Sequence, residues 1–266
     1  VSNVYSQIAF FEDFETNAIG PINSQGYWKA KIPDQAVVQS DVVYSGNKAL
    51  ALLNGTVPVV VTQLVGAVKY PAVWEDFYVI PVRVSEENKP QADYFTGALY
   101  YFNSDGLLVV CDGDHWITNS TPVPENTWIH LVVEQRYPDK KWAIWTNDVQ
   151  VASNLRFASG SHPLEYTRFT YSGALNGVTY LDDIFVTAGS PYLDSDNDGL
   201  VDAMEYFYGT YPDDYDSDND RMGDGAEVAN DRDPANADGY DQNGWYPGLP
   251  FTEGFESVEL GDLNTQ

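Results

Sequence analysis

Lys141-Trp142-Ala143-Ile144-Trp145-Thr146, then Asn147-Asp148, then Val149-Gln150-Val151-Ala152, reads as two strands joined by a two-residue turn. Trp142, Ile144 and Thr146 alternate with Lys141, Ala143 and Trp145, so one set faces a core and the other faces outward. Asn and Asp tolerate positive φ, which a tight hairpin turn of the right twist needs at both central positions. The same grammar extends in both directions. Runs rich in Val, Ile, Tyr, Phe, Trp and Thr, bounded by Gly, Pro, Asn, Asp and Ser, predict strands over 49–53, 57–64, 77–84, 95–102, 107–111, 128–134 and 181–187. A second turn is expected over 103–106. No helical period separates these runs, so the expected class is all-β: a two-sheet antiparallel jelly-roll β-sandwich over 1–190.

The charge is unevenly spread. The chain of 266 residues carries a net charge of -27, and 191–266 holds 20 acidic and 2 basic side chains, two-thirds of that total. Such a field repels phosphate backbones and anionic lipid, which argues against nucleic-acid partners and leaves cations as the natural ones. The most apolar window, 57–74, is interrupted by Pro58, Thr62, Gln63, Gly66 and Lys69, so no membrane insertion is expected. Cys111 is alone, forms no intrachain disulfide and is expected to be a buried, inert thiol.

Within the acidic part, Asp194, Asp196, Asp198, Asp202 and Glu205 occupy positions 1, 3, 5, 9 and 12 of a loop with Gly199 at position 6. This is the spacing of an EF-hand-type calcium loop. Alternate aspartates converge on one point, glycine permits the sharp turn, the Leu200 carbonyl is the position-7 donor, and Glu205 chelates with both oxygens. Val201 is expected to point into a small core beneath. Twenty-two residues later Asp216, Asp218, Asp220, Asp224 and Glu227 repeat the pattern, with Met222 at the carbonyl position. Position 6 is now Arg221, which costs on the order of 1 kcal/mol at positive φ. A third start at Asp238 lacks the acidic pattern. Leu200, Met204, Tyr206, Phe207 and Tyr208, followed by Gly209, predict one short helix. Without an ion, carboxylates 4 Å apart repel by about 4 kcal/mol per pair at an effective dielectric of 20. Hard oxygen donors select Ca2+ over zinc or copper, so ion binding is folding free energy for this segment. Extracellular modules of this type bind at about 10⁻⁴ to 10⁻³ M, which points to a secreted, cell-surface setting.

Two resemblances follow from particular residues. The runs 126–131, 141–145 and 147–152, with the closing strand Leu181-Asp182-Asp183-Ile184-Phe185-Val186, resemble a concanavalin A-like, laminin-G-like jelly roll. That resemblance implies a further calcium held by Glu15 with Asp182 or Asp183, where first and last strands meet. The 22-residue period, with Gly225-Ala226-Glu227-Val228 and Asp233-Pro234, is similar to bacterial thrombospondin type 3-like calcium repeats. It implies a calcium-stiffened connector in a surface protein. A dockerin is the alternative, but it needs longer helices than Tyr211-Pro212 and Asp233-Pro234 permit.

Phe10, Glu12, Phe14, Glu15, Gly20, Asn23 and Gln25 recur 241 positions later as Phe251, Glu253, Phe255, Glu256, Gly261, Asn264 and Gln266. The stretch 251–266 therefore reads as the opening of a second copy, with 191–250 as the connector. Neighbouring repeats of the same protein are the expected partners, in an array that builds a fibre, stalk or adhesin.

Catalysis is not expected. No paired-acid string runs along a strand; in Glu12-Asp13-Phe14-Glu15, Asp13 and Glu15 would share a strand face, but Gly254 replaces Asp13 in the second copy. His115, His130 and His162 have no matching nucleophile and read as structural or surface groups. The alternative function is a carbohydrate-binding module for a surface glycan, with Trp74, Trp116 and Trp145 as stacking faces beside Asp112, Asp114 or Asn119.

Overall fold

The computed structural model describes residues 9–237 apart from 27, 54–58, 65–70, 94–95, 160–165 and 172–176. The third loop start at Asp238, the repeat opening at 251–266 and His162 lie outside the described residues.

The strands in chain order are β1 (Ala9–Glu12), β2 (Gly20–Pro21), β3 (Trp28–Ala30), β4 (Ala36–Gln39), β5 (Ala49–Leu52), β6 (Val59–Leu64), β7 (Ala72–Ile80) and β8 (Arg83–Val84). They continue as β9 (Tyr100–Asn103), β10 (Leu107–Asp112), β11 (His115–Pro122), β12 (Ile129–Arg136), β13 (Lys141–Thr146), β14 (Val149–Arg156), β15 (Tyr166–Tyr171) and β16 (Thr179–Thr187). Two short helices follow, α1 (Asp202–Tyr208) and α2 (Asp224–Val228). One layer is a large sheet in the order β14-β13-β12-β7-β16-β5-β4-β2, with β1 also on β16. The facing layer is in two pieces, β11-β10-β9-β8 and β15-β6-β3. The described pairings are antiparallel except β8 with β9, and the fold is a jelly-roll β-sandwich as the alternation implied.

The core is where the period-2 pattern puts it. Ile129, Leu131 and Val133 of β12 and Trp142 and Ile144 of β13 point inward, each at most 2% exposed. Leu108 and Val110 of β10 and Trp28 of β3 meet them from the facing layer. Each such side chain contributes roughly 1.5–3 kcal/mol of burial. Trp142 also ties the layers together, its Nε1 donating to the carbonyls of Cys111 and Arg156 at 3.1 and 3.2 Å. Cys111 is 4% exposed and burial pushes its thiol upward, as expected of an inert group.

Both expected turns form. Asn147 and Asp148 have φ of 46° and 64°, and the Gly106 amide donates to the Asn103 carbonyl at 2.9 Å. Strand ends differ where local chemistry intervenes. The run 77–84 divides into β7 and β8 at Pro81, which has no N–H for the ladder, and the chain passes there into the facing layer. The run 95–102 becomes a strand only from Tyr100. The Asp13–Glu15 strand is a correction: β1 ends at Glu12, Phe14 has φ 62°, and this turn buries the Phe14 ring completely, so Asp13 and Glu15 share no strand face.

β16 organises the centre of the large sheet. One edge runs along β7; the other meets β5 over Thr179–Leu181 and β1 over Ile184–Thr187. An extra residue between Asp182 and Phe185 makes the bulge at this change of partner, with Asp183 at φ 45°.

Candidate metal centre

Two loops follow the sandwich, and their backbones match. Asn197 and Asn219 have φ of 63° and 62°, and Gly199 and Arg221 have φ of 100° and 81°. Position 6 is thus left-handed in both loops, and Arg221 sits where the sequence said glycine is preferred. Asp194 Oδ2 accepts from the Gly199 amide at 3.2 Å, and Asp216 Oδ2 accepts from the Arg221 amide at 2.7 Å. Asp198 Oδ1 takes the Leu200 amide at 2.7 Å and Asp220 Oδ1 the Met222 amide at 2.9 Å. These short-range bonds turn the side chains inward, so that Asp194, Asp196 and Asp198 converge within 4.8 Å of one another, as do Asp216, Asp218 and Asp220. Each trio is able to hold a metal ion.

The helices bring the position-12 acids beneath the loops. Glu205 on α1 and Glu227 on α2 are both 0% exposed, and none of their four carboxylate oxygens has a hydrogen-bond donor. Asp196 Oδ2, Asp218 Oδ2 and Asp224 Oδ2 are likewise buried and unpartnered. Burial and then the aspartates around it push Glu205 up to about 8; burial and then Asp218 and Asp220 push Glu227 up to about 7. An ionised carboxylate buried without a donor costs several kcal/mol, so this donor set fits a cation enclosed in each loop.

The other proposed ligands are arranged differently. Asp202 accepts the Ser195 amide and hydroxyl, both at 2.8 Å, so it braces the loop from behind; position 9 of such loops often acts through water. Asp224 takes the Ser217 amide at 2.9 Å through Oδ1 only. Leu200 is 5% exposed and is the apolar plug of the first loop; Val201, expected in that place, is extended at the start of α1 and only half-buried. Met222 is half-buried, its sulfur 3.2 Å from Arg232 Nη1. The sequence missed α2, a five-residue helix too short to show a period.

The two loops are joined to each other and to the sandwich. The Gly225 amide donates to Asp198 Oδ2 at 2.7 Å. Phe207 of α1 lies edge-on to Phe11 of β1 at 5.8 Å, and Tyr192 packs on Trp74 and Trp145 at 6.3 and 6.0 Å. Leu193, next to Tyr192, accepts the Asp202 amide at 2.8 Å, so loop 1 fixes the chain that lies on the tryptophans.

The sandwich residues singled out by sequence fall into separate places. Asp182 is 0% exposed and accepts the Tyr44 and Ser45 amides at 2.9 and 3.3 Å; the Ser45 hydroxyl donates to Asp183 at 3.0 Å. Glu15 accepts the Asn47 and Lys48 amides, both at 2.7 Å. All three carboxylates therefore clamp the 40–48 loop around the β16 bulge. Trp74 and Trp145 are covered in part by Tyr192, while Asp112 and Asp114 pair with Arg156 at 3.0 and 3.7 Å, leaving little of a shared sugar platform with Trp116. Ile117, Asn119, Val151 and neighbours line a cavity of about 270 Å³ between β10, β11 and β14. His115 pairs with Asp114 at 2.6 Å. His130 is held between Asp76 at 2.7 Å and Asp148 at 2.9 Å, a bridge that sequence spacing did not reveal.

No family model and no curated protein matches the chain. Among solved structures it is similar to a sialidase, at TM-score 0.51 and 12% identity, over 67% of this chain and 18% of that one. It is also similar to the cellulose induced protein Cip1 (TM-score 0.49, 12% identity, 68% of this chain and 97% of that one). A carbohydrate esterase from a Shiga toxin-encoding bacteriophage gives TM-score 0.49 and 14% identity, over 69% of this chain and 98% of that one. The likeness to the sialidase is one of fold, the β-sandwich, and the chain spans under a fifth of that protein's length. Among the described residues no helix is long and apolar enough to cross a membrane.

Proposed function

We propose that this chain is a non-catalytic, extracellular structural or adhesive unit, in which a β-sandwich carries a two-site Ca2+ element that stiffens the chain leaving it. The observation that carries the reading is the pair Glu205 and Glu227, fully buried beneath their aspartate trios with both oxygens lacking a donor. No protein group donates to them, and an all-oxygen, highly anionic loop suits a hard divalent ion. The ion would be held by Asp194, Asp196, Asp198 and Glu205 in one loop and Asp216, Asp218, Asp220 and Glu227 in the other, with the Leu200 and Met222 carbonyls as further donors. The helices of seven and five residues favour the thrombospondin type 3-like reading over a dockerin. In a tandem array, the docked and calcium-filled element would set the direction of the next copy. Limited proteolysis in millimolar calcium and in chelator tests this: the 191–237 segment should resist cleavage with calcium and be cut without it. Equal cleavage in both would refute the stiffening role.

A further calcium at Glu15, Asp182 and Asp183 belongs to the same proposal and would have to share these carboxylates with the amides of the 40–48 loop that bind Glu15 and Asp182. A second reading, a glycan-binding module, is supported by the sandwich fold shared with part of a sialidase.

A further inference from the structure

The inner face of the large sheet is apolar along its centre except at one place. Val73, Phe77 and Val79 of β7 and Ile129, Leu131 and Val133 of β12 are each at most 5% exposed. By strand alternation the same face carries Glu75 and Gln135, on paired central strands. Gln135 is 7% exposed, donates to Glu75 Oε1 at 3.2 Å and accepts the Ala98 amide at 3.1 Å. A Cβ on Gly97 would fall 2.2 Å from Gln135 Oε1 and 3.5 Å from the Phe157 ring, so any larger residue at 97 would push the Gln135 amide out of its present position.

Tyr100 of β9 reaches the same place from the facing layer: its ring lies 6.2 Å from that of Trp142, the cross-strand partner of Gln135, and the Glu75 charge adds to the upward push that burial gives its hydroxyl. Burial also raises Glu75 to about 7. Glu75 Oε2 and the Tyr100 hydroxyl make no hydrogen bond to another described group, and both residues are only half-buried. Gln135 alone staples Ala98, and a valine at 75 would pack like its neighbours, so the carboxyl is not needed to close the core. The partial exposure of Glu75 and Tyr100 shows that solvent reaches this stretch of the inner face.

We propose that Glu75, Gln135 and Tyr100 form a binding site on the inner face for a neutral sugar residue of a glycan. The free carboxyl oxygen accepts from one sugar hydroxyl, the tyrosine hydroxyl bonds another, and the Tyr100 and Phe157 rings offer apolar walls. An anionic ligand is disfavoured by Glu75 and by the net charge of -27. A metal ion is disfavoured because the clusters of three or more ligating side chains among the described residues are both in the acidic loops. The inference rests on the glycan-binding reading and locates its site away from Trp116; it does not depend on calcium.

The test is an array of neutral and acidic oligosaccharides probed with the whole chain, followed by calorimetric titration of the best ligand, in calcium and in chelator. A neutral oligosaccharide should bind, and Tyr100→Phe and Glu75→Ala should each weaken it at least tenfold, with Trp116→Ala within twofold of wild type. Tyr100→Phe keeps the ring, and an unchanged melting temperature separates lost binding from lost folding. Neutral-sugar binding insensitive to both substitutions would overturn this site and leave the glycan reading standing. Binding of acidic sugars only, or of none, would overturn both.

Discussion

The Gly225 amide, in the first turn of the second helix, donates to Asp198 Oδ2 of the first loop at 2.7 Å. A Cβ at Gly225 would lie 2.7 Å from the Asp198 carbonyl oxygen, the Gly199 carbonyl carbon and the Leu200 amide nitrogen. Backbone cannot give way as a flexible side chain does, so the contact joins the two loops into one unit.

Gly225→Ala should therefore disturb both loops, although the residue lies in only one. Overpacking of this kind costs about 1–3 kcal/mol. Calcium titration of the variant is expected to weaken both sites; weakening of the second alone would mean that the loops are independent.

Arg221 holds φ 81° where the first loop has glycine at 100°. Arg221→Gly should relieve about 1 kcal/mol of strain, less the entropy that glycine adds to the unfolded chain. The expected result is a second-site affinity about twofold to fivefold higher with the first site unchanged, read by calorimetry.

Glu205→Gln removes a buried carboxyl that has no donor in the protein and that folding without an ion must either protonate or strip of water. In chelator the variant should melt higher than wild type, because the desolvation penalty is gone; in millimolar calcium it should melt lower, because a bidentate anionic ligand is lost. The crossing of the two melting curves is the signature, and a variant less stable in both conditions contradicts the assignment.

How far the sequence foretold these features depends on how local their cause is. The alternation in 141–152 and the Asn147-Asp148 turn are short-range, and both appear as read. The acidic spacing likewise delivers the trios and the buried glutamates. What escaped depends on contacts distant in the chain: the Tyr192 cover on Trp74 and Trp145, the Gly225 link, and the bulge that turns Asp182 and Asp183 towards the 40–48 loop. β11 escaped for another reason. Most of its residues are exposed, so it carries little apolar periodicity. Asp13 and Glu15 misled because the buried Phe14 needs a turn with positive φ, which no spacing rule announces.

His130 supplies a pH dependence away from the loops. Burial opposes its charge, but hydrogen bonds and attraction from Asp76, and then from Asp148, raise it above its ordinary value; Tyr78 stacks on the ring at 4.7 Å. A raised histidine contributes stability that is complete below the unfolded value near 6.5 and is lost as pH climbs through the folded value. The stability difference between wild type and Asp76→Asn, from urea midpoints, should thus shrink from pH 5.5 to pH 8.5. A constant difference would show that the bridge carries no charge-dependent energy.

Isothermal calorimetry of calcium binding to the metal-stripped chain tests the central claim most directly. Two ions per chain should bind with heat, at about 10⁻⁴ to 10⁻³ M, and the heat should vanish in a Glu205→Gln, Glu227→Gln double variant. Absence of heat from wild type at millimolar calcium, or heat undiminished in the double variant, would contradict it.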